Sequence, residues 1–258
     1  GWVGGTAHAA GDMGMPILVQ GVTGRTAKNV NSRGGPGPIS MAFNNATAIQ
    51  RDQKGTLHLL WVENGHLLYG RKTPGAELTH QLLESGVQRH PALGLDGSGG
   101  VVVVWPTRTG LFAVVSEDSG ETFGGAIQLS HQRVGSPTVR VWSEGVGSSR
   151  RVFGVVGWHI GNKTKDTTVY AANLVGGHFQ EPVRLESDGA ASEFVTTSGY
   201  KGASIMVWRD NRGGGRGWEL YMSQQPSPSV AWSAPVRIGE GMDPSVCVTA
   251  KGEVHLTY

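Results

Sequence analysis

Apolar and polar positions along this chain fall into short runs that recur. Leu57–Trp61, Val101–Trp105, Val152–Trp158, Ala203–Trp208 and Val254–Tyr258 are each an apolar stretch ending on an aromatic residue. The terminal aromatics stand at 61, 105, 158, 208 and 258, so the spacings are 44, 53, 50 and 50 residues. Trp2 is a candidate sixth mark, 59 residues before Trp61. Helical periodicity is sustained nowhere over about eleven residues, which predicts strands and almost no helix. A period of about 40–50 residues, made of short strands and Gly-rich turns, predicts an all-β fold: a β-propeller of four-stranded antiparallel blades.

The unit is plainest between His90 and Ser130. Pro91–Asp96 alternates as a first strand, and Asp96-Gly97-Ser98-Gly99 is a turn cluster rich in residues that tolerate positive φ. Val101–Trp105 is continuously apolar, as a strand covered on both faces must be. Pro106–Gly110 reads as a loop, Leu111–Ser116 as a third strand and Ala126–Leu129 as a short outer one. The same order recurs, which divides a single propeller domain into full blades at 44–85, 86–132, 133–189 and 190–240, with half blades at 241–258 and 1–43. In the N-terminal half blade, Pro16–Thr23 and Lys28–Ser32 read as the last two strands of a unit. Two arrangements follow. The half blades complement each other and close the ring, removing both open edges, or the chain is a piece of a longer propeller of six blades.

Composition narrows the picture. Glycine is abundant, at 41 of 258 residues against 12 prolines, which fits many tight turns. No apolar stretch approaches the ~18 residues of a membrane-spanning helix. The net charge of +2 offers no basic stripe for nucleic acid. The lone Cys247 excludes an internal disulfide framework, and its place in the alternating segment Ser245–Thr249 predicts a buried structural thiol. His90 and His159 have no metal-ligand spacing between them, so neither a metal nor another cofactor is expected.

One motif is specific. Ser116-Glu117-Asp118-Ser119-Gly120-Glu121-Thr122-Phe123 fits the pattern S/T-x-D-x-G-x-T-W/F. Its chemistry is local: Asp118 accepts from turn N–H groups, Gly120 supplies positive φ, the Ser116 and Thr122 hydroxyls close the hairpin, and Phe123 tucks beneath. This is the Asp-box, and in it the chain resembles the sialidase superfamily of BNR-repeat propellers. Weaker echoes stand at Arg71–Leu78 and Ser223–Trp232, so the resemblance covers roughly residues 44–258. It implies that the box marks the fold, lying opposite the face where such propellers bind ligand.

That ligand face is built from the loops after each second strand and the links into each first strand. The former carry Glu63, Arg108, His159, Lys163, Lys165, Asp166, Arg209, Asp210, Arg212 and Arg216; the latter carry Asn45, His90, Ser136, Ser192, Glu193 and Asp243. The densest cluster runs from Trp208 to Trp218, where arginine forks suit a carboxylate. Each residue also has a plainer reading. Asp210 and Arg212 make an internal loop staple, Asp243 before Pro244 is a turn residue, and Glu63 is solvated.

The resemblance further implies an exo-glycosidase acting on terminal sialic acid, with three arginines on the substrate carboxylate, a Tyr–Glu nucleophile pair and an Asp acid/base. The early Phe/Tyr-Arg-Ile-Pro motif of that family is absent here, and Arg25 and Arg33 stand in other contexts. Losing a carboxylate clamp removes both orientation and charge complementarity. The first expectation is therefore a non-catalytic carbohydrate- or protein-binding propeller, with a glycan or an acidic protein surface as partner, at an extracellular, periplasmic or cell-surface location. A divergent sialidase-type hydrolase is the second, and a structural subunit of a larger complex the third.

Overall fold

Each apolar run pairs with its sequence neighbours in antiparallel register, and the computed structural model of the chain arranges them as successive sheets. It describes residues 49–87, 90–145, 149–162, 165–186, 192–211, 218–241, 244–249 and 252–257. All belong to, or fall within, the unit Ile39–Tyr258. The expected half blade at 1–43, with Trp2, Pro16–Thr23 and Lys28–Ser32, lies outside the described residues, as does Tyr258.

The first blade comprises β1 (Ile49–Arg51), β2 (Leu57–Glu63), β3 (His66–Lys72) and β4 (Thr79–Ser85). The second comprises β5 (Ala92–Leu95), β6 (Val101–Pro106), β7 (Leu111–Ser116) and β8 (Ile127–Ser130). The third has β9 (Thr138–Glu144), β10 (Arg151–Asn162), β11 (Lys165–Val175), a two-residue β12 (His178–Phe179) and β13 (Val183–Glu186). The fourth has β14 (Ser192–Tyr200), β15 (Ala203–Asp210), β16 (Glu219–Gln225) and β17 (Val236–Glu240). A final hairpin pairs β18 (Ser245–Val248) with β19 (Val254–Thr257). The fold is an all-β propeller of antiparallel blades.

The core is a series of seams between consecutive blades. Trp105 packs with Leu60, Leu67 and Tyr69 of the preceding blade and with Val87 of the link that follows it. Trp158 packs with Ala92, Val102, Val104 and Leu111. Trp208 packs with Trp142, Val155, Val169 and Ala171. The repeat aromatic therefore always faces backwards, and each of these three indoles is fully buried. The seams are tight: a Cβ at Gly157 in β10 would meet the Met206 methyl at 2.7 Å and Thr197 Cγ2 at 2.9 Å.

The shared repeat position of the aromatics predicts equal burial for all of them, and the alternation predicts a buried Cys247; both expectations are corrected here. Trp61 holds the equivalent position but is only half-buried, because backwards from the first blade is away from the second. Cys247 is exposed, not buried. In β18 the alternation sends Val246 into the seam with Ile205 and Val207, so Cys247 takes the other face.

The first blade also contains a buried polar network. The Tyr69 hydroxyl and His58 Nδ1 share a hydrogen bond of 2.5 Å, and His58 Nε2 faces Asp52 Oδ2 at 3.4 Å. Asp52 Oδ1 accepts from the Thr56 N–H at 2.8 Å. Burial pushes the His58 imidazole below its ordinary range, against the opposing pull of Asp52. The unfolded chain thus binds a proton that the folded chain refuses, so stability is full above about pH 6.5 and falls as pH drops below it. Thermal unfolding followed across that range should show a smaller loss for His58→Gln than for the unaltered chain.

Candidate functional site

Antiparallel pairing places the second-to-third strand loops at one end of every blade and the third-to-fourth strand turns at the other. At the first end, β2 and β3 are joined by Asn64-Gly65 with φ of 51° and 80°, the backbone that a two-residue hairpin needs. Glu63 pairs with His66 in backbone register and is half-buried. The β6–β7 turn is held by Thr107 N–H to Gly110 O at 2.8 Å and leaves Arg108 exposed at its tip. His90 is half-buried in the link between the first two blades.

Several residues read as loop or link positions are strand positions, Glu63 at the end of β2 among them. His159 lies within β10, because that strand runs on past Trp158 to Asn162, four residues farther than the apolar pattern suggests. Its carbonyl accepts from the Gly135 N–H at 3.0 Å, and its ring covers Gly135 so closely that a Cβ would meet it at 2.0 Å. Arg209 and Asp210 end β15 and are both buried, Asp210 completely. The Arg209 guanidinium lies 4.4 Å from the centroid of the Trp218 ring, a cation–π stack. The expectation that Arg209 sits in a glycine-rich loop outside the buried strands is therefore corrected: its side chain is part of the packing. Lys165, Asp166, Ser192 and Glu193 are also strand positions. Ser136 is half-buried in its link. Arg212, Arg216, Asp243, Lys163 and Asn45 lie outside the described residues.

Beside Trp218 the structure brings together a cluster that the repeat pattern does not single out. Arg237 Nε donates to Glu219 Oε1 at 2.6 Å, and Arg237 Nη2 reaches Glu240 Oε1 at 3.4 Å. Tyr221 Oη donates to Glu219 Oε2 at 3.1 Å. The hydrogen bond from Arg237 holds the Glu219 carboxyl below its ordinary range. The available signal was a carboxylate opening a third strand with an arginine opening the strand beside it.

The opposite end carries the turn Ser116–Phe123. Asp118 Oδ1 and Oδ2 accept from the Thr122 N–H at 2.9 and 3.0 Å, and Oδ2 also accepts from the Thr122 hydroxyl at 2.5 Å. Ser116 Oγ donates to Asp118 Oδ1 at 2.7 Å and accepts from the Gly120 N–H at 2.9 Å. Phe123 meets Tyr69 of the first blade edge-on, with ring centroids 4.9 Å apart. The Thr122 bonds lower the Asp118 carboxyl to about 2. A depressed carboxylate contributes stability above its unfolded pKa and loses it as pH falls through the folded value, here between about pH 4 and 2. Asp118→Ala should cost about 1–3 kcal/mol by leaving turn donors unpaired and should flatten that acid dependence, both measurable by denaturant unfolding at stepped pH.

Neither a protein-family profile nor any curated protein matches the chain. Solved structures do. The α-L-arabinanase of Penicillium chrysogenum, complexed with arabinobiose, superimposes with a TM-score of 0.50 at 12% identity, covering 81% of this chain and 73% of that one. The polysaccharide lyase Uly1 superimposes with a TM-score of 0.50 at 10% identity, covering 81% of this chain and 65% of that one. At these identities the likeness is one of fold.

Proposed function

We propose that this chain is a sialidase-like, BNR-repeat propeller that binds carbohydrate, without cleaving it, at the blade ends bearing Glu63, Arg108, His90 and the 209–218 segment. Two propellers of similar fold, an arabinanase and a polysaccharide lyase, are named for carbohydrate chemistry. The single observation that carries the non-catalytic reading is the Arg209–Trp218 stack at 4.4 Å. A buried guanidinium engaged with an indole is not presented to a substrate carboxylate. Arg212, Arg216 and Asp243 belong to the same proposed rim, whose arginines favour an anionic glycan or an acidic protein surface. Such a ligand fits a location at the cell surface, in a periplasm or outside the cell.

A hydrolase is the second reading, and the Tyr221–Glu219 hydrogen bond favours it, since a Tyr–Glu pair is what the family resemblance implies for the nucleophile. Against it, Tyr221 is buried and stacks on Trp208 at 6.5 Å between centroids. A glycan array run beside release assays with sialyl, arabinofuranosyl and neutral aryl-glycosides separates the two. Array binding without release is the expected result. Release that disappears in Tyr221→Phe would replace binding with catalysis.

A further inference from the structure

The seam between the first two blades differs from the others at one repeated position. Three places before the repeat aromatic, the second, third and fourth blades have Val102, Val155 and Ile205, all buried and apolar. The first blade has His58 there, only 1% exposed. The strand beside it is altered too: Tyr69 stands where the other blades have Ala113, Ala171 and Met222 in the same register. An imidazole and a phenol thus occupy, in this seam, positions that are apolar in the other described blades.

The turn into β2 sharpens the comparison. Asp52 Oδ1 accepts from the Thr56 N–H at 2.8 Å, and in the second blade Asp96 Oδ1 accepts from the Gly100 N–H at 2.8 Å. The two aspartates differ in what meets the other oxygen. Asp96 Oδ2 is met by Arg150 of the third blade, which keeps its charge at every physiological pH. Asp52 Oδ2 is met by His58 Nε2, a group whose charge changes. A carboxylate opposite Nε2 favours the tautomer protonated there, which leaves Nδ1 to accept from the Tyr69 hydroxyl. That hydroxyl lies against Gly120 of the Ser116–Phe123 turn. The same turn reaches the first blade through Phe123 on Tyr69, the Gln81 amide on Gly120 O, and Arg71 on Glu121 at 3.0 Å. Beside them the Gln53 N–H donates across the seam to Gly97 O at 3.2 Å.

We propose that His58 is a proton-operated latch: taking up a proton frees the Ser116–Phe123 turn from the first blade and opens that end of the seam, while the other seams stay shut. The imidazolium has no lone pair on Nδ1, so the Tyr69 hydroxyl loses its acceptor at the point where it meets Gly120. A buried donor without a partner costs free energy, and so does a buried cation. Asp52 offsets part of that cost, and the positive charge of Arg71 adds to it. The carboxylates that the second blade brings to this end are turned to other partners. Asp118 is held by Thr122 and Ser116, Glu121 by Arg71 and Asp96 by Arg150. Lifting the turn hydrates the ring, so the opening takes up one proton and grows as pH falls.

Hydrogen exchange at the Gln53 and Gly120 amides, corrected for the intrinsic pH dependence of exchange, is the test. Between about pH 7.5 and 4.5, a range that spans the ordinary histidine value, both should exchange faster than the core amides of β10 and β15, which carry Val155 and Ile205 instead. Below about pH 6.5 both should accelerate by up to about tenfold for each pH unit, the limit for one proton. His58→Gln keeps an amide that can bond to the Tyr69 hydroxyl but cannot titrate, and should remove the acceleration. His80→Gln, on the outer strand of the same blade, should keep it. Gln53 and Gly120 rates that stay flat, that coincide with those of β10 and β15, or that keep their acid response in His58→Gln overturn the proposal. If His58→Gln does not fold, the unaltered chain decides. The acceleration must then level off at the pH where the His58 ring signals of the folded chain titrate, and a mismatch overturns the latch.

Discussion

Trp105→Ala lowers the free energy of unfolding by about 3–5 kcal/mol, the range for removing a large buried aromatic, while Trp61→Ala lowers it by much less. Trp105 is fully enclosed by the first blade and stacks on Phe112 with ring centroids 6.1 Å apart. Its removal leaves a void in a seam whose walls belong to two different sheets. Those walls are held by their own ladders and cannot collapse independently. Trp61 is half-buried, so truncation removes less packing. Trp158→Ala and Trp208→Ala should behave like Trp105→Ala, since each fills the next seam. Chemical denaturation of the four variants is the check. Equal losses at all four positions would contradict the backward-facing arrangement of the repeat aromatic.

Gly120→Ala should cost about 2–5 kcal/mol, from left-handed backbone strain and overpacking together. Gly120 has φ of 77°, and a Cβ there would lie 1.8 Å from Tyr69 Oη. Tyr69 cannot swing aside, because His58 holds its hydroxyl and Phe123 its ring. The Gln81 amide also donates to the Gly120 carbonyl at 3.1 Å, so the turn is bound to the first blade from two sides. Gly65→Ala is the control: φ is 80° but nothing lies within 4 Å of the added carbon. It should show the backbone cost alone, about 1–2 kcal/mol. The difference between the two variants, read by thermal or denaturant unfolding, measures how firmly the turn is packed against its neighbour.

The repeat was legible because it is written in pattern. A strand covered on both faces is continuously apolar, and Val101–Trp105 is so; a hairpin turn needs residues tolerant of positive φ, and Asn64-Gly65 supplies them. The Ser116–Phe123 turn was legible for a similar reason, since its hydrogen bonds join residues two to four apart. What the pattern hid is what depends on a neighbouring blade. Cys247 alternates correctly, but one strand does not say which face is covered. Arg209 and Asp210 look like the start of a loop because charges precede a run of glycines, yet the ladder continues through Asp210 paired to Glu219. The Asn173–Gln225 bond joins residues 52 apart on different sheets, and only the packing of those sheets brings them together. A polar residue inside the apolar stretch Val169–Val175 was the one local hint.

Hydrogen exchange of the chain, measured with and without a glycan that binds on the array, tests most directly whether carbohydrate is recognised at the blade ends that carry Glu63, Arg108 and the 209–218 segment. The account predicts slowed exchange in the β2–β3 and β6–β7 turns and between Arg209 and Trp218. It predicts no change at Ser116–Phe123, and weaker protection as salt rises, because an arginine-bearing rim is screened. Binding that persists while those mouth segments exchange at their free rates would contradict it.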